Sequence, residues 1–249
     1  MRDPLDQKYH VYFNNQTLTY DFYASDLRIE GMPVNIGQLA VPGKDGALFT
    51  GSRLEPKHIR VTLTNRATSM ADRRENMSWL MGVLDVDEPK KLSLGIDGST
   101  TLYYLAIPTT AGDIGIFRRH MSVEVDFLAL DPVMYGAQVT KTIPSGGSLT
   151  FTVGGNYPTR PSVSATAAKN GSNGYWRLRK NSGEQDFILN VPSAVPFVAD
   201  CAARTLAVDG DVTMLNPSAD WLVLKPGSNT IAMTGTGAAT ITYRERWLR

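Results

Sequence analysis

Several features are scarce or missing in this 249-residue chain, and each absence excludes a class of structure. Its one cysteine, Cys201, has no partner for an intramolecular disulfide, which points away from a disulfide-stapled secreted framework. No apolar run follows the basic residue near the N-terminus, and no stretch approaches the roughly 20 apolar residues of a membrane span. We therefore expect neither a signal peptide nor membrane insertion.

Charge of one sign is also missing. The chain has 25 basic and 24 acidic residues, which leaves a net charge of +1. Such a balance creates no overall field that would attract nucleic acid or anionic lipid. The expected partners are therefore proteins or neutral ligands.

The motifs of enzymes are absent as well. The three histidines, His10, His58 and His120, lack the spacing of zinc ligands, and there is no nucleophile elbow, phosphate-binding loop or dinucleotide fingerprint. Glu124 and Asp126 share a strand face, but strand neighbours two apart sit too close for an inverting glycosidase and are typical of a solvated face. We expect no catalytic residues, no metal site and no cofactor.

The character of the sequence changes at a junction, residues 121–136. Before it lie strands, one amphipathic helix and most of the charged segments, and after it come short strand-like runs broken by Gly, Pro, Asn and Ser. The length allows two domains of ordinary size. We predict an N-terminal domain at 1–136 and a C-terminal domain at 137–249.

The first half reads as a β-rich domain with one helix. Aromatic and β-branched residues alternate around Asn14-Asn15, which is typical of a hairpin, and residues 121–128 alternate as a long strand. Ser69 with Asp72 three residues later predicts a helix start, and apolar residues at helical spacing extend this helix from about Met70 to Leu84. We expect this helix to cover a sheet.

Residues 31–51 contain five glycines and two prolines, which predicts a long irregular loop or arm. Its apolar members favour the binding of a partner. They are Val34, Ile36, Leu39, Val41, Leu48 and Phe49. A second flexible excursion, residues 108–117, is the alternative candidate for an arm.

The second half predicts a β-sandwich, with jelly-roll topology as one option, because eight or so short strands alternate with turn residues. The predicted strands are 149–153, 162–165, 175–179, 187–191, 205–208, 221–224, 229–233 and 239–247. Tyr175 beside Trp176 is the best candidate for a platform on which a saccharide could stack. In the alternative interpretation, Trp176 and Trp221 simply fill the sandwich core.

Short motifs in a characteristic order make the chain resemble a known family. In the first half these are residues 42–46 (PGKDG), 79–84 (WLMGVL) and 131–136 (DPVMYG), and in the second half 224–231 (LKPGSNTI) and 243–247 (YRERW). The first half resembles the distal tail proteins of siphophages, the long-tailed phages with flexible tails. The second half resembles the galectin-like sandwich domain of that family.

The resemblance implies a structural role without enzymatic activity. Members of the family form hexameric rings at the distal end of the tail tube and connect the tube to the tail tip or baseplate. A ring subunit needs arms that reach its neighbours, so the resemblance implies that the apolar residues of 31–51 contact a neighbouring subunit. The implied partners are further copies of the chain, the tail tube protein and a tail-tip (Tal-like) protein. A receptor-binding protein and a host saccharide are further candidates. DNA only passes through the lumen. The implied location is the virion's tail tip, after synthesis in the host cytoplasm. The alternative function is a carbohydrate-binding module for host recognition.

Overall fold

The computed structural model describes residues 9–19, 21–96, 101–112, 115–116, 121–167, 175–190 and 194–248. The chain divides into two compact units, one comprising Met1–Tyr135 with Leu248–Arg249 and the other Gly136–Trp247. Both units are built mainly of β-strands, and the described residues contain one α-helix. The predicted fold class, mainly β with a helix in the first half and a sandwich in the second, is confirmed.

The first unit contains an eight-stranded antiparallel sheet, a two-stranded hairpin and the helix. The elements are β1 (Tyr9–Phe13), β2 (Gln16–Thr17), β3 (Phe22–Ile29), β4 (Val34–Ala40), β5 (Ala47–Leu54), β6 (Lys57–Asn65), α1 (Met70–Leu84), β7 (Lys90–Ile96), β8 (Tyr104–Ala111), β9 (Gly115–Ile116) and β10 (Met121–Ala129). The large sheet has the order β2-β1-β7-β8-β10-β6-β3, with β9 also paired to β10. Strands β4 and β5 pair only with each other among the described residues.

The large sheet curls around its own core. The rings of Phe13 on β1 and Phe127 on β10 lie 5.0 Å apart between centroids, although β7 and β8 separate these strands in the sheet. In a flat sheet three strand spacings would place them about 14 Å apart. The concave side is therefore the core. Its fully buried side chains include Val11, Phe13, Phe22, Ile59, Val61, Leu63, Leu92, Val125 and Phe127.

Helix α1 has the predicted bounds and the predicted start. The Oγ of Ser69 accepts a hydrogen bond from the backbone N of Asp72 at 3.1 Å, which satisfies one of the free donors of the first turn. Arg73 on this helix is buried. Its guanidinium donates to the carbonyls of Ala67 at 2.7 Å and Thr68 at 3.3 Å, so the local chain supplies the polar partners that burial requires.

The composition predicted an irregular segment at residues 31–51. Most of these residues instead form the regular β4–β5 hairpin. The glycines occupy special positions within it. Gly43 and Gly46 have φ values of 79° and 82° in the turn, and Gly37 pairs with Gly51 where the register shifts by one residue. Both prolines lie outside the strands. The glycine and proline signal thus marks a turn and a bulge in a regular element.

The second predicted excursion, residues 108–117, also begins inside a strand. Pro108 belongs to β8 and lies opposite Phe127, next to a register shift between Asp126 and Phe127. A bulge is one of the few places where a sheet tolerates proline, which cannot donate to the ladder. Residues 113–114 and 117 of that segment lie outside the described residues, as does His120.

The second unit is a sandwich of two antiparallel sheets. Its strands are β11 (Met134–Ile143), β12 (Ser148–Val153), β13 (Ser162–Ala167), β14 (Tyr175–Lys180), β15 (Gln185–Asn190), β16 (Val195–Asp200), β17 (Thr205–Val208), β18 (Asp211–Thr213), β19 (Gly227–Thr234) and β20 (Ala239–Trp247). The first two residues of β11 belong to the first unit. The six-stranded sheet has the order β11-β20-β13-β16-β17-β18, and the four-stranded sheet has the order β12-β19-β14-β15.

Side chains from the inner faces of both sheets form one apolar core. Trp176 on the four-stranded sheet packs edge-on against Phe197 of the six-stranded sheet, with ring centroids 5.0 Å apart. On β20, Ile241 and Tyr243 are buried, because alternate residues of this predicted strand face the core. The predicted strand at 221–224 is wrong, because this segment makes only an isolated bridge between Leu224 and Thr159.

Candidate functional site

The β4–β5 hairpin, called the arm below (residues 34–54), extends directly from the large sheet. Strand β3 pairs with β6 as far as Ile29, and the chains that continue from them form the arm. Two junction contacts hold the base. Glu30 N donates to the carbonyl of His58 at 3.0 Å, and Glu55 N donates to the carbonyl of Pro33 at 2.9 Å. The arm is therefore anchored at its base by backbone hydrogen bonds.

Side chains reinforce this base. The Nδ2 of Asn35 and the Nε of Arg53 each lie 2.9 Å from Oε1 of Glu55. The hydrogen bond from Asn35, followed by the one from Arg53, lowers the pKa of the Glu55 carboxyl below its usual value of 4.5. At neutral pH the charged carboxylate of Glu55 thus accepts a hydrogen bond from each strand of the arm.

The register of the arm assigns its side chains to two faces. Val34 pairs with Leu54 near the base, and beyond the bulge at Thr50 Gln38 pairs with Phe49. Because alternate residues of a strand point to opposite sides, the first face of the arm is largely apolar. It consists of Val34, Ile36, Gln38, Ala40, Ala47, Phe49, Ser52 and Leu54.

The second face of the arm changes along its length. Near the base it carries Asn35 and Arg53, which bind Glu55. Near the tip it carries Leu39 opposite Leu48. The half of the arm closest to the sheet is therefore polar on its second face, and the half that bears the turn is apolar on both faces apart from Gln38.

The apolar side chains of the arm are open to solvent. The exposed fraction is 69% for Phe49 and 54% for both Ile36 and Leu39. Single exposed apolar residues are common, but a contiguous cluster of large ones marks an interaction surface. All six residues predicted for the arm lie on the hairpin, although Val41 lies in the turn and is half-buried. Their contact with a neighbouring subunit stays a prediction.

The second predicted site, the saccharide platform, is not assembled as expected. The Trp176 ring is fully buried in the sandwich core, so no sugar can stack on it. Tyr175 points to the opposite side of the same strand and is half-buried, across from Asn190. The core-filling interpretation therefore describes Trp176. Contact of Tyr175 with a saccharide stays a prediction.

The carboxylate pair of β10 serves a structural purpose. Arg60 on the neighbouring strand β6 lies 3.3 Å from Glu124 and 3.2 Å from Asp126, and His58 lies 3.3 Å from Asp126. These hydrogen bonds and charges raise the pKa of Arg60 above its usual value, with Asp126 as the largest cause. The two carboxylates thus form a cross-strand ladder of the solvated type expected from the sequence.

Sequence reasoning missed an ionic cluster at one end of the sandwich. Lys180 is fully buried, and its Nζ lies 3.4 Å from Oε2 of Glu184, which also accepts from Asn181 at 2.8 Å and from the ammonium of Lys225. The Lys225 hydrogen bond, then that of Asn181 and the charge of Lys180, lower the pKa of Glu184 to about 2. Inward strand parity at Lys180 was the signal that could have revealed it.

Among the described residues, no group of three or more potential ligands is placed to hold a metal ion. No helix in the described part of the chain is long and apolar enough to cross a membrane.

Two family profiles match most of the chain. Residues 15–129 match the phage tail protein RIFT-related domain. Residues 154–247 match the C-terminal domain of the siphovirus-type tail component. A comparison with curated proteins found no match.

Solved structures with the same fold come from phage tails. The SPP1 Dit (gp 19.1) protein, described as a paradigm of the hub adsorption apparatus in phages that infect Gram-positive bacteria, is similar with a TM-score of 0.74 and 18% identity, covering 96% of this chain and 99% of that one. A chain of the phage P2 baseplate in its activated conformation with Ca is similar with a TM-score of 0.53 and 8% identity, covering 95% and 97%.

Proposed function

This chain belongs to the distal tail protein family of siphophages, and on that premise we propose that it is a structural protein of the tail hub. In the proposal it forms a homo-hexameric ring at the distal end of the tail tube. The first unit builds the ring, and the galectin-like sandwich forms the second, separate module. The role is structural, without catalysis.

The observation that supports the ring most strongly is the exposed arm of the first unit. Burying a Phe or Ile side chain contributes about 1.5–3 kcal/mol relative to leaving it in water. Phe49 and Ile36 do not gain this within their own chain, because they are 69% and 54% exposed. A closed ring requires each subunit to donate one surface and receive a different one, and an apolar arm is suited to be the donated surface.

Further partners follow from this location in the tail. We propose that one side of the ring binds the tail tube protein and the other a tail-tip protein of the Tal-like class, with DNA only passing through the lumen. The chain would then act in the virion, at the distal tip of the tail. The hub described for the similar SPP1 protein supports this arrangement.

The test is the mass of the purified full-length chain in solution by light scattering, followed by negative-stain imaging of the same fraction. The proposal predicts a particle of six chains of 27.2 kDa each, seen as a six-fold ring with a central hole. A monomer at every concentration, both alone and mixed with the tube and tail-tip proteins, would contradict it.

A further inference from the structure

The two sheets of the sandwich end at different places on one side of the second unit. Trp176 on β14 and Phe187 on β15 both pack against Phe197 of β16, with ring centroids 5.0 Å and 6.2 Å away. Strand β15 is the last strand of the four-stranded sheet, whereas the six-stranded sheet continues beyond β16 with β17 and β18. The larger sheet therefore extends past the smaller one at this side.

A groove of about 430 Å³, called the seam groove below, lies beside β15. Leu189 and Asn190 line it at the end of β15, and Leu206 and Val208 line it from β17 of the larger sheet. Residues 213–217 complete the lining. The seam groove thus occupies the position that a fifth strand of the smaller sheet would take.

The backbone edge of β15 is open next to the seam groove. At the start of the strand Asp220 closes this edge, because its N donates to the carbonyl of Asp186 at 2.6 Å and its carboxylate accepts from the N of Asp186 at 3.3 Å. Backbone groups of alternate residues point to the same side of a strand, so those of Ile188 and Asn190 face this edge as well. No described residue bonds to the backbone of Ile188 on that side. The edge therefore offers a free donor and a free acceptor.

These features favour a polypeptide over a saccharide as the ligand. An extended chain supplies the alternating N–H and C=O groups that pair with a strand edge. The described residues that line the seam groove include no aromatic ring on which a sugar would stack. The groove is thus suited to strand addition.

The side chains around the seam groove define which segment fits. Leu206 and Val208 present an apolar surface to every second side chain of an added strand. Asp211 pairs with Val208 in the register of β17 and β18, so it lies on the same face, and it is exposed. Its carboxylate favours a basic residue at this end of the added segment.

We propose that the seam groove binds an extended segment of another protein, which pairs with the edge of β15 as a fifth strand of the smaller sheet. Every second side chain of this segment is apolar and packs on Leu206 and Val208, and a basic residue lies near Asp211. All of these groups lie in the second unit. The inference is therefore independent of the proposed ring, and a negative ring test leaves it standing.

The probe is a fluorescent nine-residue peptide, KTITVTITK, which alternates apolar and polar residues between basic ends. Fluorescence anisotropy measures its affinity for the full-length chain. Two N-methylated peptides are the backbone controls, one methylated on the nitrogens of the apolar residues and the other on those of the threonines. Successive N–H groups of a strand point to opposite edges, so each control blocks one edge of the peptide.

Two variants of the chain test the same edge from the other side. Ile188→Pro removes the outward N–H of β15 and leaves the ladder to β14 intact, since an edge strand tolerates proline where its N–H faces outward. Ile188→Val is the matched control, because it changes the side chain and keeps the N–H. Thermal unfolding checks that both variants fold.

Strand addition predicts that the probe binds the wild type, that one N-methylated peptide binds about tenfold or more weakly, and that the other stays within about threefold. Ile188→Pro should weaken binding of the probe by about tenfold or more, and Ile188→Val by less than about threefold. If Ile188→Pro does not fold, the N-methylated peptides decide the question on the wild type.

Four results would overturn the proposal. The first is no binding of the probe up to about 1 mM. The second is equal binding by the two N-methylated peptides or by the two folded variants. The third is displacement of the probe by maltohexaose, which would make the seam groove a saccharide site. The fourth is self-association in light scattering that Ile188→Pro abolishes and Ile188→Val keeps, which would make a second copy of this chain the ligand.

Discussion

The arm and the sandwich are built from similar paired strands, but their apolar side chains differ in burial. Both are antiparallel strand pairs with large apolar side chains at alternating positions. In the sandwich the second sheet covers these side chains, so Phe197 is only 2% exposed, whereas on the arm Phe49 is 69% exposed. Strand pairing therefore does not decide burial. The presence of a second layer does, and among the residues that the structure describes none forms a second layer over the arm.

The apolar residues of this protein thus serve two purposes. Those of the sandwich stabilise the folded chain, while those of the arm contribute little until another surface covers them. The same substitution should then destabilise the sandwich more than the arm. In a measurement of assembly, it should have the larger effect in the arm.

The largest expected effect on stability comes from matched phenylalanine substitutions. Phe197→Ala leaves a cavity in the sandwich core between Trp176 and Phe187 and should cost about 3–5 kcal/mol of unfolding free energy. Phe49→Ala removes an exposed ring from the arm and should stay within about 0.5 kcal/mol. Urea denaturation of both variants, under conditions where the protein is monomeric, checks this. Equal losses would mean that the arm is part of the core.

Matched glycines come next in size. Gly155 in the sandwich and Gly46 in the arm have φ values of 87° and 82°, but a Cβ on Gly155 would lie 2.2 Å from the carbonyl O of Arg246, while one on Gly46 meets nothing within 4 Å. Gly155→Ala should cost about 2–4 kcal/mol, from overpacking added to backbone strain. For Gly46→Ala, only the strain of about 1 kcal/mol remains. Thermal unfolding ranks the two, and similar shifts would refute the close approach at Gly155.

The sequence predictions were correct where neighbouring residues decide the structure and incorrect where contacts across the sheet decide it. The helix was predictable from Ser69 onward, because its start depends on local hydrogen bonds and its apolar spacing repeats over four turns. The last strand was predictable because its alternation is regular. The arm was mistaken for a loop, since glycine counts do not reveal that Gly37 and Gly51 face each other across a bulge.

Burial at single positions was harder to predict for a physical reason. Tyr175 and Trp176 are neighbours on one strand, so one must point inward, but alternation alone does not say which. The partners of the buried Arg73 and Lys180 lie close in sequence, namely the carbonyls before α1 and the carboxylate of Glu184. Composition gives no sign that these charged side chains are buried, and for Lys180 only its inward strand parity pointed to burial.

A smaller effect should appear as pH falls. The pKa of Glu184 is about 2 in the folded sandwich against an ordinary value of 4.5. A lowered carboxyl pKa contributes stability above 4.5, and this contribution is lost as the pH falls from 4.5 through about 2. The melting temperature of the sandwich should therefore drop across this window.

Glu184→Gln provides the control for this prediction. It removes the titrating group beside the buried Lys180, so the variant should be less stable than wild type at neutral pH and less sensitive to acid. Calorimetric scans from about pH 7 to about pH 2 compare the two proteins. Identical acid profiles would show that the cluster around Glu184 does not govern this pH dependence.

The decisive measurement replaces the arm. The backbones of Pro33 and Glu55 already meet through a hydrogen bond of 2.9 Å, so an Asn-Gly turn can join them in place of residues 34–54 and leave the β3–β6 pairing intact. We predict a chain that melts within a few degrees of wild type but remains monomeric by light scattering at concentrations where the wild type forms six-fold rings. Rings that persist without the arm would contradict the claim that its exposed apolar faces drive assembly.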